Sequence, residues 1–527
     1  MNIAVKMKKI LTSIYARSIN ALNNGTSNTY DLAGNLSSVT DALNHTTSYT
    51  YDLAGNRTSM TDAKGNVTSY HYGAFNLLMS ETDAANRVTT YRYNLDGKLT
   101  KMVDRRGNTT NYSYDARGHL TEASVLLKNE TTVLPENQIT YQYDSAGNRT
   151  AMSDISGEYT YDYDILNRLT TVSKAGTVEL SYTYTAENSI ASVSYGGKTT
   201  NYTYDMDNRL KSVRNSGSGA DYFYDQGGNV TKIQYLGGVQ ELMTYNKNNA
   251  VLNMTNKNAA GDIISNTDYE YDSCGRLSLK YSNSGGGIME YVYDAVGRIS
   301  RTSDVWWRDS SFTYDELGNI VSVTADYNYW NGSATLPYKF DSGSSAVVEY
   351  DVKEITYTYS ERNELLSAEE EYKNDSNFVA KRVTDYSYDE NGNQYMTVSG
   401  LVHPANSGGE RLNQNYGNST TSTYFSATQS TFDGFNRLKD FTKIENTGSV
   451  STSYVYNGDG LRKQKTETNL ISAESKTTNY VYDGQHVVQE NGDSTATYVR
   501  GLSYIAKIGA SNSVNYYLYN AHGDVTH

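Results

Sequence analysis

The chain has 527 residues, with 51 Tyr, 42 Gly, 3 Pro and one Cys, and 59 acidic against 45 basic residues for a net charge of −14. That balance, with no basic stripe, excludes a face built to neutralise phosphates, so no nucleic-acid partner is expected; the lone Cys274 excludes an intrachain disulfide framework; and no apolar run approaches the roughly 18 residues that cross a bilayer. Mean hydropathy is −0.65, yet 12% of residues are aromatic, which argues against simple disorder.

In chain order, residues 1–29 read as a lead-in, an incomplete repeat. Lys6, Lys8 and Lys9 precede Ile10-Leu11-Thr12-Ser13-Ile14-Tyr15-Ala16, which Arg17 interrupts. This core is too short and polar for a functional signal peptide, and a start inside a longer gene product fits at least as well. A regular array follows over residues 30–320. Its first units are Tyr30-Asp31-Leu32-Ala33-Gly34-Asn35-Leu36 and Tyr51-Asp52-Leu53-Ala54-Gly55-Asn56-Arg57, and Tyr72, Tyr93 and Tyr114 continue the spacing of 21 residues. Looser copies run through Tyr143, Tyr163, Tyr184, Tyr204, Tyr224, Tyr245, Tyr271, Tyr293 and Tyr314. Asp41, Asp62, Asp83 and Asp104 open a second turn midway in each early unit. A turn signal thus recurs about every ten or eleven residues, which predicts strands of about five or six residues and one β-hairpin per unit.

The residue types fit those positions. Tyr and Thr favour strands. Asp accepts backbone N–H bonds where a turn opens, Gly supplies positive φ, and Asn tolerates it. Residues two apart on a strand share a face, so Tyr49 and Tyr51 point one way and Thr50 the other. The same Tyr-x-Tyr pair recurs at Tyr112/Tyr114, Tyr182/Tyr184, Tyr202/Tyr204 and onward, which predicts a Tyr ladder on one sheet face. Apolar pairs after the turn, Leu36/Val39 and Leu210/Val213 among them, sit three apart and break simple alternation. Either the first residue closes the turn or a bulge restores the register.

Residues 321–431 are irregular, with more widely spaced copies at Tyr359 and Tyr388. The stretches Ala325 to Lys353, with Trp330 and Pro337, and Thr397 to Thr431, with Pro404, are candidate long loops, plugs or seams, as is the earlier insertion Thr121 to Gln138 with Pro135. Trp306-Trp307 reads as a wall or core contact. Residues 432–527 return to repeats at Phe432, Tyr456, Tyr482 and Tyr519. The total is 20 units, hence roughly 40 strands at about 4.8 Å each. An open twisted sheet rarely exceeds about ten strands without curling. The expected fold is therefore all-β: tandem hairpins coiling into a spiral, a solenoid or a barrel-like wall around a Tyr-lined hollow.

Tyr-Asp-x-x-Gly-Asn-Arg/Leu at about 21-residue spacing resembles the YD repeat of the Rhs family, which includes bacterial polymorphic toxins, insecticidal toxin-complex subunits, wall-associated proteins and the teneurins. The resemblance covers the chain from about Tyr30 onward, and Tyr516 to Val525 is similar to the approach to the Rhs core. It implies a β-strand shell that encloses a C-terminal toxin or effector and helps deliver it in intercellular competition, secreted or at the cell surface. The family's self-cleavage motif is Asp-Pro. Here the prolines follow Leu134, Leu336 and His403, so self-cleavage and toxicity are not carried over, and the chain reads as a shell truncated before the core-associated and toxin regions. The alternative function is carbohydrate binding or adhesion at a cell surface or wall, with cell-wall glycans as partners of the Tyr-rich repeats.

No catalytic, cofactor or metal site is expected. His45, His71, His119, His403, His486, His522 and His527 are scattered, with no i,i+4 pair and no His-Glu-x-x-His. Cys274 stands at a turn position in Tyr271-Asp272-Ser273-Cys274-Gly275, where no base is implied to make it a nucleophile. The turn Asp residues are read as caps of their own turns and not as Ca²⁺ or sugar ligands.

Overall fold

The computed structural model describes residues 14–283, 287–304, 308–326, 339–340, 348–349, 351–374, 377–402, 425–445, 448–493, 495–509, 511, 513–519 and 525. Forty-two strands form one sheet, and Lys339–Phe340 pairs with Val348–Glu349 as a small separate ribbon. Within the large sheet each strand pairs antiparallel with the next in sequence, as Thr46–Tyr51 does with Arg57–Thr61 and that strand with Val67–Tyr72. The meander runs without a break across residue 320, where Arg308–Tyr314 pairs with Ile320–Asp326, and past 431, where Phe425–Phe432 pairs with Leu438–Glu445.

The Tyr ladder and its register are as the sequence dictates. Tyr49 pairs with Met60 and Tyr51 with Arg57, with a register shift between Thr50 and Tyr51. The same shift precedes the turn Tyr in unit after unit, for instance between Thr203 and Tyr204. It leaves one extra residue on the following strand. Leu210 and Val213, three apart, then oppose Tyr204 and Tyr202 on one face. Of the two explanations open at the sequence level, the bulge is the one the backbone uses.

The irregular stretches resolve unevenly. In the insertion Thr121 to Gln138, the first residues belong to the strand Leu120–Leu126, and Pro135–Asn137 forms a single 3₁₀ turn with Asn137 buried. The ends of Thr397 to Thr431 extend the strands Gln394–Val402 and Phe425–Phe432. Trp306-Trp307, Trp330, Pro337, His403, Pro404, His522 and His527 lie outside the described residues.

No strand pairing returns from the end of the meander to its beginning among the described residues. The sheet laps over itself instead. Side chains from residues 64–241 meet residues 315–519 at chain separations of 251 to 317. The buried core lies where the laps meet. One cluster joins Val213, Tyr222 and Tyr235 to Val499, Ile505 and Ile508. A second joins Leu180, Val193 and Tyr195 to Val481 and Val488. This is a spiral, and among the shapes the strand count allowed it is the one that closes by packing and not by a hydrogen-bonded barrel seam.

Candidate functional site

The turns are built from their carboxylates. In the unit Tyr51 to Arg57, Asp52 Oδ1 accepts the backbone N–H groups of Ala54 and Asn56, each at 2.9 Å, and Oδ2 accepts Asn56 Nδ2 at 2.9 Å. The midway turn at Asp62 repeats the pattern with Lys64 and Asn66. Where the fourth residue after Asp is Arg, its Nε replaces the Asn amide, as in Arg168 to Asp164 at 2.7 Å. His45 and His119 fill the same place, their Nδ1 atoms 3.0 and 2.9 Å from Asp41 and Asp115. The Asn56 side chain and then the turn amides hold the Asp52 carboxyl below its ordinary range. Cys274 donates its backbone N–H to Asp272 Oδ1 at 2.9 Å, an ordinary turn position. Among the described residues no three His, Cys, Asp or Glu side chains converge as metal ligands.

The second Tyr of most pairs staples neighbouring units. Its hydroxyl donates to the backbone carbonyl that opens the previous post-turn strand: Tyr51 to Leu36 at 2.9 Å, Tyr114 to Leu99 at 2.8 Å, Tyr184 to Leu169 at 2.7 Å and Tyr519 to Tyr504 at 2.6 Å. The turn Arg covers the ring, Arg168 over Tyr184 at 4.4 Å and Arg298 over Tyr314 at 4.3 Å. In these units both the ring and the hydroxyl of the second Tyr are therefore engaged within the wall.

The contacts that join one lap of the sheet to the next lie at the seam between laps. Each Tyr-Asp turn of the second lap sits on a midway turn, or the strands beside it, in the first. Lys64 Nζ reaches Asp315 Oδ2 at 2.5 Å. Arg362 joins Arg87 and Arg105 around buried Asp83, at 3.3, 3.3 and 3.4 Å. Asn391 donates to Asp104 at 2.8 Å, and Arg106 lies 3.3 Å from Asp389. Further round, the Gly434 N–H donates to Asn137 Oδ1 at 2.9 Å, and the Gly458 N–H to Asp154 at 2.5 Å. Arg149 grips Asp459 with two nitrogens at 2.6 and 3.0 Å. Tyr182 donates to Asp483 at 3.0 Å and Tyr195 to the Tyr498 carbonyl at 2.8 Å. Burial pushes the Lys463 ammonium down, although Glu179 lies 3.0 Å away.

These seam residues escaped the reading of the sequence, with one partial exception. The insertion Thr121 to Gln138, with Pro135, is a candidate seam in the sequence, and it delivers Asn137. A usable signal did exist in the residue after the turn Asp or Asn. In the first lap it is often large and apolar, as Leu32, Leu53, Ile165 and Met206, all strongly exposed. In the second lap it is Gly434, Gly458 and Gly484. A Cβ on Gly434 would lie 2.8 Å from Asn137 Cγ and 2.9 Å from Val125 Cβ, and one on Gly458 would lie 2.6 Å from Ile139 Cγ2.

Comparison with known proteins agrees with this geometry. The RHS repeat model matches residues 30–67, 55–88, 72–109, 93–125 and 143–179, and the teneurin YD-shell model matches residues 186–344. The tRNA3(Ser)-specific nuclease WapA of Bacillus spizizenii is 26% identical over 255 residues, 47% of this chain and 10% of that protein. Teneurin-1 of Mus musculus is 26% identical over 207 residues, 38% of this chain and 6% of that protein. The crystal structure of TcdB2-TccC3 superimposes on 98% of this chain and 34% of its own, with a TM-score of 0.50 and 13% identity. The likeness to that structure is one of fold, and this chain spans about a third of it and a tenth or less of the two curated relatives.

Proposed function

We propose that this chain, a member of the RHS/YD-repeat family, builds the wall of a hollow shell that encloses a polypeptide, a C-terminal toxin or effector, and helps deliver it in competition between cells. The observation that carries the reading is the lap. The wall meets itself after about 300 residues, as where Tyr195 binds Tyr498 at a separation of 303. One circuit holds roughly two dozen strands, and at about 4.8 Å per strand it measures about 115 Å around and about 35 Å across. Side chains on the inner face leave an opening on the order of 25 Å, wide enough for a polypeptide and too wide for a dry core about 10 Å thick.

In this reading the Tyr ladder faces inward. Residues between the paired Tyr, such as Thr50, Thr183 and Thr203, are exposed, whereas the Tyr rings are half-buried against one another and under Arg. That is the crowding expected on the concave side of a curled sheet. The regular array of residues 30–320 supplies the first lap and, at Asp315, begins the second; residues 321–431 carry the second lap over Asp83 and Asp104, and residues 432–527 supply the rest of the seam. The shell works outside the cell that makes it, secreted or held at the surface; no described helix is long and apolar enough to cross a membrane. The nuclease activity in the WapA name is not assigned to this chain. Glycan binding is the weaker reading, because stacking on sugars needs free ring faces and hydroxyls, and the staples and Arg caps occupy those of the second Tyr in unit after unit.

The test is enclosure. Cryo-electron microscopy of the full chain should show a wall around a solvent-filled space. A protease-sensitive peptide appended after His527 should be cut more slowly in the native protein than after the wall is opened with denaturant. A filled interior, or a tail cut at the same rate in both states, would reject the proposal.

A further inference from the structure

Glu241 is a carboxylic side chain that neither the turns nor the staples use. It sits on the strand Gln240–Tyr245 and is 1% exposed. Its Oε1 lies 2.6 Å from the Tyr235 hydroxyl, and that same hydroxyl lies 3.0 Å from the backbone carbonyl of Tyr517. Tyr235 is also 1% exposed, and its ring packs against Tyr516 with centroids 5.1 Å apart. Residues 516–519 thus lie across the first lap near the end of the second.

A phenol has one proton to donate, and Tyr235 faces two acceptors. With Glu241 ionised, the proton goes to the carboxylate, the stronger acceptor, and the half-buried Tyr517 carbonyl loses its donor. With Glu241 protonated, the acid donates to Tyr235 and Tyr235 donates to Tyr517, so the chain of bonds is complete. We propose that Glu241, Tyr235 and the Tyr517 carbonyl form a proton-operated latch that fastens the C-terminal segment to the first lap when Glu241 is protonated and loosens it when Glu241 ionises.

The surroundings suit such a device. Tyr222 and Tyr235 face Glu241 from neighbouring strands, Asn256 from the ladder on its other side, and Tyr519 from the C-terminal segment, where Tyr516 and Tyr517 meet Tyr235. Lys257 pairs with Gln240 and so lies on the opposite face of the sheet. Burial pushes the Glu241 acid up to about 7, against the pull of the Tyr235 hydroxyl and the Tyr519 amide. The sign follows by linkage. The latched state holds a proton that the released state, with an ordinary Glu near 4.5, gives up. The latch is therefore tightest below about 4.5, weakens as pH rises toward about 7, and is flat above it. It acts on the wall itself, and so stands or falls independently of any enclosed polypeptide.

The experiment is hydrogen exchange of the full chain, read at the amides of residues 504–519 from pH 4.5 to 9 and corrected for the intrinsic pH dependence of exchange. Protection of this segment should fall by about tenfold or more with rising pH, the worth of one buried hydrogen bond at about 1.4 kcal/mol, while residues 190–215 stay protected. In Glu241→Gln, which keeps a donor toward Tyr235 at every pH, the segment should stay protected throughout. In Tyr235→Phe it should be loose throughout. Pepsin-mapped exchange elsewhere in the wall reports whether each variant is folded, and infrared difference spectra of the wild type supply a second readout, the loss of a protonated-carboxyl band near neutral pH. A flat wild-type profile, or a pH dependence retained in Glu241→Gln, would overturn the latch.

Discussion

Replacing Gly434 with Ala is the sharpest probe of the seam. Gly434 has no positive φ, so the substitution introduces no backbone strain, and its effect comes from the added methyl alone. That methyl would stand 2.8 Å from Asn137 Cγ and Oδ1 and 2.9 Å from Val125 Cβ, atoms of two buried residues on the opposite lap. Overpacking of this kind costs about 1–3 kcal/mol. Pushing the laps apart also breaks the 2.9 Å bond from the Gly434 N–H to Asn137 Oδ1, and an orphaned buried acceptor adds about 1–3 kcal/mol. The expected loss is about 2–6 kcal/mol. It should appear as faster hydrogen exchange in both Val125 to Asn137 and Asp433 to Arg437, segments far apart in sequence. Gly400 is the control: its φ is also not positive, and nothing lies within 4 Å of an added Cβ, so Gly400→Ala should be neutral or slightly stabilising. In a double-mutant cycle, Gly434→Ala should cost at least about 1 kcal/mol less in an Asn137→Ala background. Additive effects, or a Gly434→Ala protein as stable as the wild type, would refute the packing of one lap on the other.

Three further outcomes follow from the same structure. Tyr184→Phe keeps the ring under Arg168 and removes only the 2.7 Å bond to the Leu169 carbonyl, so it should cost about 1 kcal/mol and raise exchange locally at Leu169. Arg149 and Asp459 form a seam ion pair about a third exposed, so a double-mutant cycle between their Ala variants should give under about 1 kcal/mol and vanish in about 1 M salt; a larger, salt-resistant coupling would mean that ions, not packing, dominate the seam. Turn carboxylates such as Asp52, Asp144 and Asp164 are held below their ordinary value by hydrogen bonds that begin with the side chain four residues on. Their contribution is present above the unfolded value of 3.8 and lost as pH falls through the lowered one, so a far-ultraviolet circular-dichroism titration should show the sheet intact from neutrality to about pH 4 and global unfolding only below it.

The sequence by itself determined what is local. Asp52-Leu53-Ala54-Gly55-Asn56 carries its own turn, because the carboxylate, the two amides it binds and the Asn that completes it lie within five residues. Tyr49-Thr50-Tyr51 sets the face, because alternation along a strand is geometry. The three-residue spacing of Leu210 and Val213 announced an irregularity, although only the backbone showed it to be a bulge. The tertiary structure alone decided where the wall meets itself. Asn137 finds Gly434, and Tyr235 finds Tyr517, through the coiling of roughly two dozen strands, each adding a small rotation. No pattern of residues encodes that sum. A change of a few degrees per hairpin would shift which repeats stack by whole units, so the seam, and the Glu241 acid buried beside it, become visible only when the sheet is followed around its full circuit.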